Sequence, residues 1–258
     1  MTRFSETHLM LFMATVAFLV LTMYAVSKMP RWGQNIMFVL GALFCACGIF
    51  FRYGMGLSIE GGFTWKTLGL QLLQVCNFNL PLVLLMLVPR FELARQYSIM
   101  FSMFAASTTL VSLSSAWVNL NWWDLEILNS WLNHAFAIAV PLWMLAAGRL
   151  KPQKKYILPV TGCVIAYFLA VYGISEYLIG KGIMTLAKTY SFIYDTDGIG
   201  VFEMLYKLIP VPCFYLVPLI PFMIGFFWLL ARIFQNWKVE PFRYTAPPAQ
   251  EEESAETK

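Results

Sequence analysis

Cys76 and His134 carry the chemistry that stands out from an otherwise apolar chain. A thiol becomes a strong nucleophile when a base takes its proton, and histidine is the side chain that exchanges protons near neutrality. Cys76 lies in Gln71-Leu72-Leu73-Gln74-Val75-Cys76-Asn77-Phe78-Asn79, inside an apolar run from about Thr67 to Val88. That stretch puts four amides and a thiol inside or at the edge of lipid. An unsatisfied polar group there costs several kcal/mol, so these side chains must face protein or trapped water. At ~100° per residue, Cys76 and Asn79 share one helix face, while Gln71, Gln74 and Asn77 share another. A segment polar on two faces is expected at the centre of the molecule, with other helices around it. His134 opens a later apolar run within Trp131-Leu132-Asn133-His134-Ala135-Phe136, and His8 opens the first run. Plainer roles stay open for all three: an inert apolar cysteine, whose burial disfavours the thiolate, and interfacial histidines bonded to loop carbonyls.

The elements that position these residues follow from composition. Of 258 residues, 59% are hydrophobic and 12% charged, against about 25% charged in soluble domains. The apolar runs fall at about His8–Ser27, Asn35–Phe51, Thr67–Val88, Tyr97–Val118, Ser130–Gly148, Tyr156–Ile179 and Leu208–Ile233. The expectation is an all-α polytopic membrane protein, a bundle of about seven transmembrane helices. Residues 1–240 form the transmembrane domain, and 241–258, with Pro247-Pro248 and Glu251-Glu252-Glu253, read as a disordered acidic tail. The first run lacks a positive n-region, so it reads as a retained span. Met29-Pro30-Arg31-Trp32-Gly33 and Lys151-Pro152 mark turns between runs. The five cysteines match no zinc or disulfide framework, no metal site is expected, and the basic footprint of a nucleic-acid binder is lacking.

Orientation follows from Lys and Arg. Odd-numbered connections and the tail hold twelve: Lys28, Arg31, Arg90, Arg95, Arg149, Lys151, Lys154, Lys155, Arg232, Lys238, Arg243 and Lys258. The N-terminus and even-numbered connections hold six: Arg3, Arg52, Lys66, Lys181, Lys188 and Lys207. The N-terminus is therefore expected outside and the tail in the cytoplasm. Cys76 then sits about 7–12 Å below the outer boundary at 1.5 Å per residue. His8 and His134 fall in the same outer half. Ser98, Ser102, Thr109 and Ser112 share one arc of the fourth run, which suits close helix packing or a polar pathway. The loop Lys181–Lys207 holds Tyr190 and is either a lid or a solvated connector. Pro210-Val211-Pro212-Cys213-Phe214-Tyr215 must make the last run irregular near its outer end.

The order of these features resembles the YwaF/TMEM164-like family of integral membrane proteins: histidine in the first span, Cys-Asn in the third, histidine opening the fifth, a tyrosine-containing aromatic loop, then Pro-x-Pro-x-x-Tyr. The resemblance runs from about Phe4 to Leu230 on short motifs. Bacterial relatives have Leu-Pro-Leu-His-Leu-Cys where this chain has Gln71 to Cys76, and Gly-Pro-Trp-Pro-Trp-Tyr near Ile209 to Tyr215. Their Gly/Ala-His pair corresponds to Asn133-His134, and their Asn-Tyr-Met-Phe-Leu to Thr189-Tyr190-Ser191-Phe192-Ile193. The resemblance implies a cysteine acyltransferase that moves fatty acyl chains between glycerophospholipids. Cys76 would be the acyl-accepting nucleophile and His134 its base, with Gln74, Asn77, Asn79, His8, Tyr190 and Tyr215 lining the pocket. Gln74 replaces the family's histidine and Leu72 its proline.

Two functions of different class follow. In one, a Cys76 thiolate attacks a lipid ester, amides of Asn77 or Asn79 hold the oxyanion, and membrane lipids are donor and acceptor without a soluble cofactor. In the other, the same polar centre binds a lipid or small ligand without chemistry, in a transporter component or an accessory subunit of a membrane complex. Only the first needs Cys76 and His134 in contact.

Overall fold

The computed structural model describes residues 5–54, 69–112, 121, 123–184, 191–194, 196 and 198–235. Helix α1 spans Glu6–Lys28 and starts at Ser5, whose hydroxyl accepts the His8 N–H and satisfies one donor of the open first turn. It stops at Met29, held extended by the following Pro30. Helix α2 covers Arg31–Gly54, α3 Val75–Leu85, and α4 Glu92–Tyr97. A π-helical turn, Ser98–Ser102, leads from α4 into α5, Met103–Ser112. Helix α6 is Leu125–Ala146, closed by Gly148 at φ 69°, the left-handed conformation that lets the Arg149 N–H reach the Met144 carbonyl. Helix α7 is Ile157–Gly180, entered through a 3₁₀ turn at Lys154–Tyr156; α8 is Gly200–Leu208 and α9 Leu219–Gln235. The described residues contain no strand.

Two stretches, Glu6–Lys28 and Lys154–Gly180, are long and apolar enough to cross a bilayer, while Val75–Leu85 and Leu219–Gln235 are shorter apolar helices. On α1, Leu9, Met10, Met13, Val20 and Leu21 are all exposed, an apolar surface suited to lipid.

Two expected spans are interrupted. The run Thr67–Val88 turns at Gln71–Gln74 before α3 begins, because the Val75 N–H is taken by the Ser191 hydroxyl instead of a preceding turn of helix. The run Leu208–Ile233 breaks at Pro210 and Pro212, which cannot donate to a helical ladder, and resumes as a 3₁₀ turn at Phe214–Leu216 and then α9. The tail at 241–258 lies outside the described residues.

The polar third segment is not the centre of the molecule; α6 is. It packs against α1, α2, α3 and α5. Trp131 and Trp143 on α6 donate to Thr15 and Thr22 on α1 at 2.7 and 2.9 Å, so the ring nitrogens are satisfied where the rings are buried. Against α2, glycines permit close approach. A Cβ on Gly41 would lie 2.7 Å from Val140 Cγ2 and 2.8 Å from the Trp143 ring. Gly41→Leu should therefore lower stability by about 1–3 kcal/mol, read as an earlier unfolding midpoint in detergent, with Gly33→Ala nearly neutral.

Candidate functional site

Cys76 is the second residue of α3, and its position is set by contacts from far along the chain. Ser191 Oγ accepts the Val75 N–H at 2.7 Å and donates to the Leu73 carbonyl, while the Ser191 N–H donates to Gln74 Oε1 at 2.9 Å. Tyr167 on α7 donates to the same Leu73 carbonyl at 2.8 Å and stacks on Phe78 at 4.5 Å. Ser191 and Phe192 hold φ near 60°, a conformation that side chains normally avoid, so the surrounding bonds must hold it. Those bonds are present: Tyr215 donates to the Phe192 carbonyl, and the Cys213 N–H donates to the Ile193 carbonyl at 2.9 Å. Tyr194 donates to Glu176 at the end of this strap. Burial, followed by that carboxylate, pushes the Tyr194 phenol above its ordinary value.

The strap leaves α3 with an open first turn at the thiol. Val75 N–H is spent on Ser191 and Phe78 N–H on the Gln74 carbonyl; those of Cys76 and Asn77 have no acceptor among the described residues. Two N–H groups beside a nucleophile are what an oxyanion requires.

The His134 ring and the Cys76 thiol line the same small cavity. The ring Nδ1 is 2.6 Å from the Ser130 carbonyl. A carbonyl only accepts, so Nδ1 carries the proton and Nε2 keeps its lone pair, the tautomer a general base needs. Thr109 Oγ1 of α5 lies 3.5 Å from the Cys76 sulfur on the other side and itself sits 3.2 Å from the Ala105 carbonyl.

Cys76 also lies where two unlike cavities meet. One, of about 300 Å³, is almost wholly apolar, walled by Phe101, Phe104, Val164, Phe168, Phe192 and Met223 among others. Phe214, Val217 and Leu169 in its lining are each about half exposed, so it opens toward an exposed apolar surface. The other, of about 20 Å³, is the more polar of the two, with Asn77, Asn129, Asn133 and His134 in its wall beside Gly48 and Leu80.

Of the remaining described sequence candidates, only Asn77 lines a cavity at Cys76. Asn77 Nδ2 donates to the Gln71 carbonyl and side chain, and Asn79 Oδ1 accepts from Tyr97 at 3.0 Å. The Asn77 amide donor is thus engaged; Asn79 Nδ2 has no acceptor among the described residues, but Asn79 lines neither cavity at Cys76. Gln74 anchors the strap, and Tyr215 is buried beneath it. His8 Nε2 meets the Leu110 carbonyl at 2.9 Å and packs edge-on to Trp131; it lines neither cavity at Cys76. Tyr190 lies outside the described residues. Thr109 was visible only within a hydroxyl stripe, and Ser191, Tyr167 and Phe192 gave no signal of their own. No protein-family model, curated protein or solved structure matches the chain.

Proposed function

We propose that this chain is a multi-pass membrane enzyme that cleaves acyl esters of lipids through a Cys76 thioester. The observation that carries the reading is the position of the thiol: His134 on its polar side, an apolar cavity on the other. An acyl chain fills the apolar cavity, which is at the lower end of ligand-site volumes, and its ester carbonyl reaches Cys76. His134 Nε2 takes the thiol proton, and the thiolate attacks the carbonyl carbon. The oxyanion meets the N–H groups of Cys76 and Asn77. Collapse breaks the ester C–O bond, the departing alkoxide takes the proton back from His134, and a lysolipid leaves. The acyl group stays on sulfur. This agrees with the activity implied by the resemblance to YwaF/TMEM164-like proteins.

Seven apolar segments cross the bilayer in this reading, with the N-terminus outside and the tail in the cytoplasm. Supporting it, the third and fifth connections meet: Arg95 donates to the Arg149 carbonyl, Gln96 to the Lys151 carbonyl, and Gln153 to Glu92. These connections hold six of the twelve cations expected inside: Arg90, Arg95, Arg149, Lys151, Lys154 and Lys155.

The test is lysolipid release. Purified protein in nanodiscs of mixed diacyl glycerophospholipids should generate lysophospholipid, followed by mass spectrometry. No lysolipid from any of a broad lipid panel would sink the reading and leave a ligand-binding protein in its place.

A further inference from the structure

The two cavities at Cys76 differ in size as well as polarity, and the difference bears on what removes the acyl group. Resting on the thioester reading above, we infer that the acceptor is water, held in the small polar cavity, so that the chain is a thioester-forming lipid hydrolase. The cavity of about 20 Å³ takes about one water molecule, which needs roughly 10–15 Å³ and two to four polar partners. The hydroxyl of a lysolipid comes attached to a glycerol backbone, which does not fit there. The apolar cavity could admit such a molecule, but its lining offers no base.

The partners are in place. Asn133 is 4% exposed, and its Oδ1 has no donor among the described residues. Its Nδ2 is fixed by Asn129 Oδ1 at 3.2 Å, and Asn129 Nδ2 lies 3.4 Å from the Gly48 carbonyl. Gly48 is itself required by this arrangement, since a Cβ there would lie 2.2 Å from Asn133 Oδ1. Three residues on two helices therefore aim one acceptor oxygen into a cavity that also holds His134. Water there gives one hydrogen bond to Asn133 Oδ1 and its other proton to His134 Nε2. Its oxygen attacks the thioester carbonyl, the C–S bond breaks, and the thiolate recovers the proton from His134. The products are a fatty acid and free Cys76, with no other reactant consumed. Asn133 touches the attacking water, and Asn129 acts through Asn133 as a positioning residue.

The experiment runs the full-length protein in nanodiscs of dioleoyl phosphatidylcholine in ¹⁸O-labelled water, with a chain-distinguishable lysophosphatidylcholine present as competing acceptor. The expected products are lysolipid and oleic acid carrying one ¹⁸O, with little new diacyl lipid built on the competitor. Asn133→Leu should then slow fatty-acid release by about 10²-fold while an oleoyl adduct accumulates on Cys76, because the attacking water is displaced and the first half-reaction is not. Asn133→Ala, which removes the same oxygen with less bulk, serves if the leucine variant does not fold. Lysolipid release with the oleoyl group appearing on the competitor, and no labelled acid, overturns the water assignment but keeps the thioester reading. Labelled acid with no adduct in a folded Asn133 variant overturns the site. No lysolipid at all overturns the thioester reading itself.

Discussion

Cys76→Ala should end lysolipid release in nanodiscs, to the level of protein-free controls, while the unfolding midpoint moves little. The size of the effect follows from the role: without sulfur there is no atom to take the acyl group, and His134 has no proton to move. Losing a nucleophile in hydrolytic enzymes removes most of the rate enhancement, so a loss on the order of 10³-fold or more is expected. Cys76→Ser should fall nearly as far, because a hydroxyl gives up its proton much less readily than a thiol. The stability change stays small because the side chain is short and only partly buried. Cys47→Ala is the matched control: this cysteine is exposed on α2, and its removal should leave the rate unchanged. Undiminished lysolipid release by a folded Cys76→Ala protein defeats the cysteine mechanism outright.

How far the sequence led can be judged from particular residues. The two long apolar helices were legible because their composition is apolar on all sides and turn signals flank them, Pro30 after α1 and Pro152 before α7. The break at Pro210 and Pro212 was legible because proline removes a donor wherever it stands. The approach of Cys76 and His134 was legible only as an equality of depth. The break at Gln71–Gln74 was not legible, since it depends on Ser191, 116 residues away from the N–H it accepts. Neither was the central place of α6. Its burial comes from Trp143 meeting Gly41, Asn133 meeting Gly48 and Phe136 meeting Phe44 of α2, a match between two helices that neither periodicity reveals alone. The left-handed backbone at Ser191, Phe192 and Cys213 falls on residues that local preference would never put there; only tertiary bonds hold it. The apolar cavity is a product of that strap, because Phe192 and Cys213 supply part of its wall.

His134→Gln should lower the rate of lysolipid release by about 10²–10⁴-fold, the range for removing a general base. At about 1.36 kcal/mol per decade this is about 2.7–5.4 kcal/mol of transition-state stabilisation. Glutamine keeps much of the bulk and can still hydrogen-bond, so the ring's place between Cys76 and the Ser130 carbonyl is filled without a cavity. What it cannot do is take a proton from sulfur and return it to the departing alkoxide. The loss should therefore appear in turnover more than in apparent lipid affinity, because the apolar cavity that binds the chain does not include His134. A purely structural role for the ring predicts the opposite: weaker binding and a lower unfolding midpoint with turnover kept among folded molecules. The dependence on pH separates the two further. With the base gone, solvent hydroxide must generate the thiolate, so the residual rate of the variant should keep climbing on the alkaline side where the wild type levels off. His8→Gln, by contrast, alters a bond to the Leu110 carbonyl at a residue that lines neither cavity at Cys76, and should leave both turnover and its pH profile as in the wild type. Equal losses in the two histidine variants would mean that the site assigned to Cys76 and His134 is wrong.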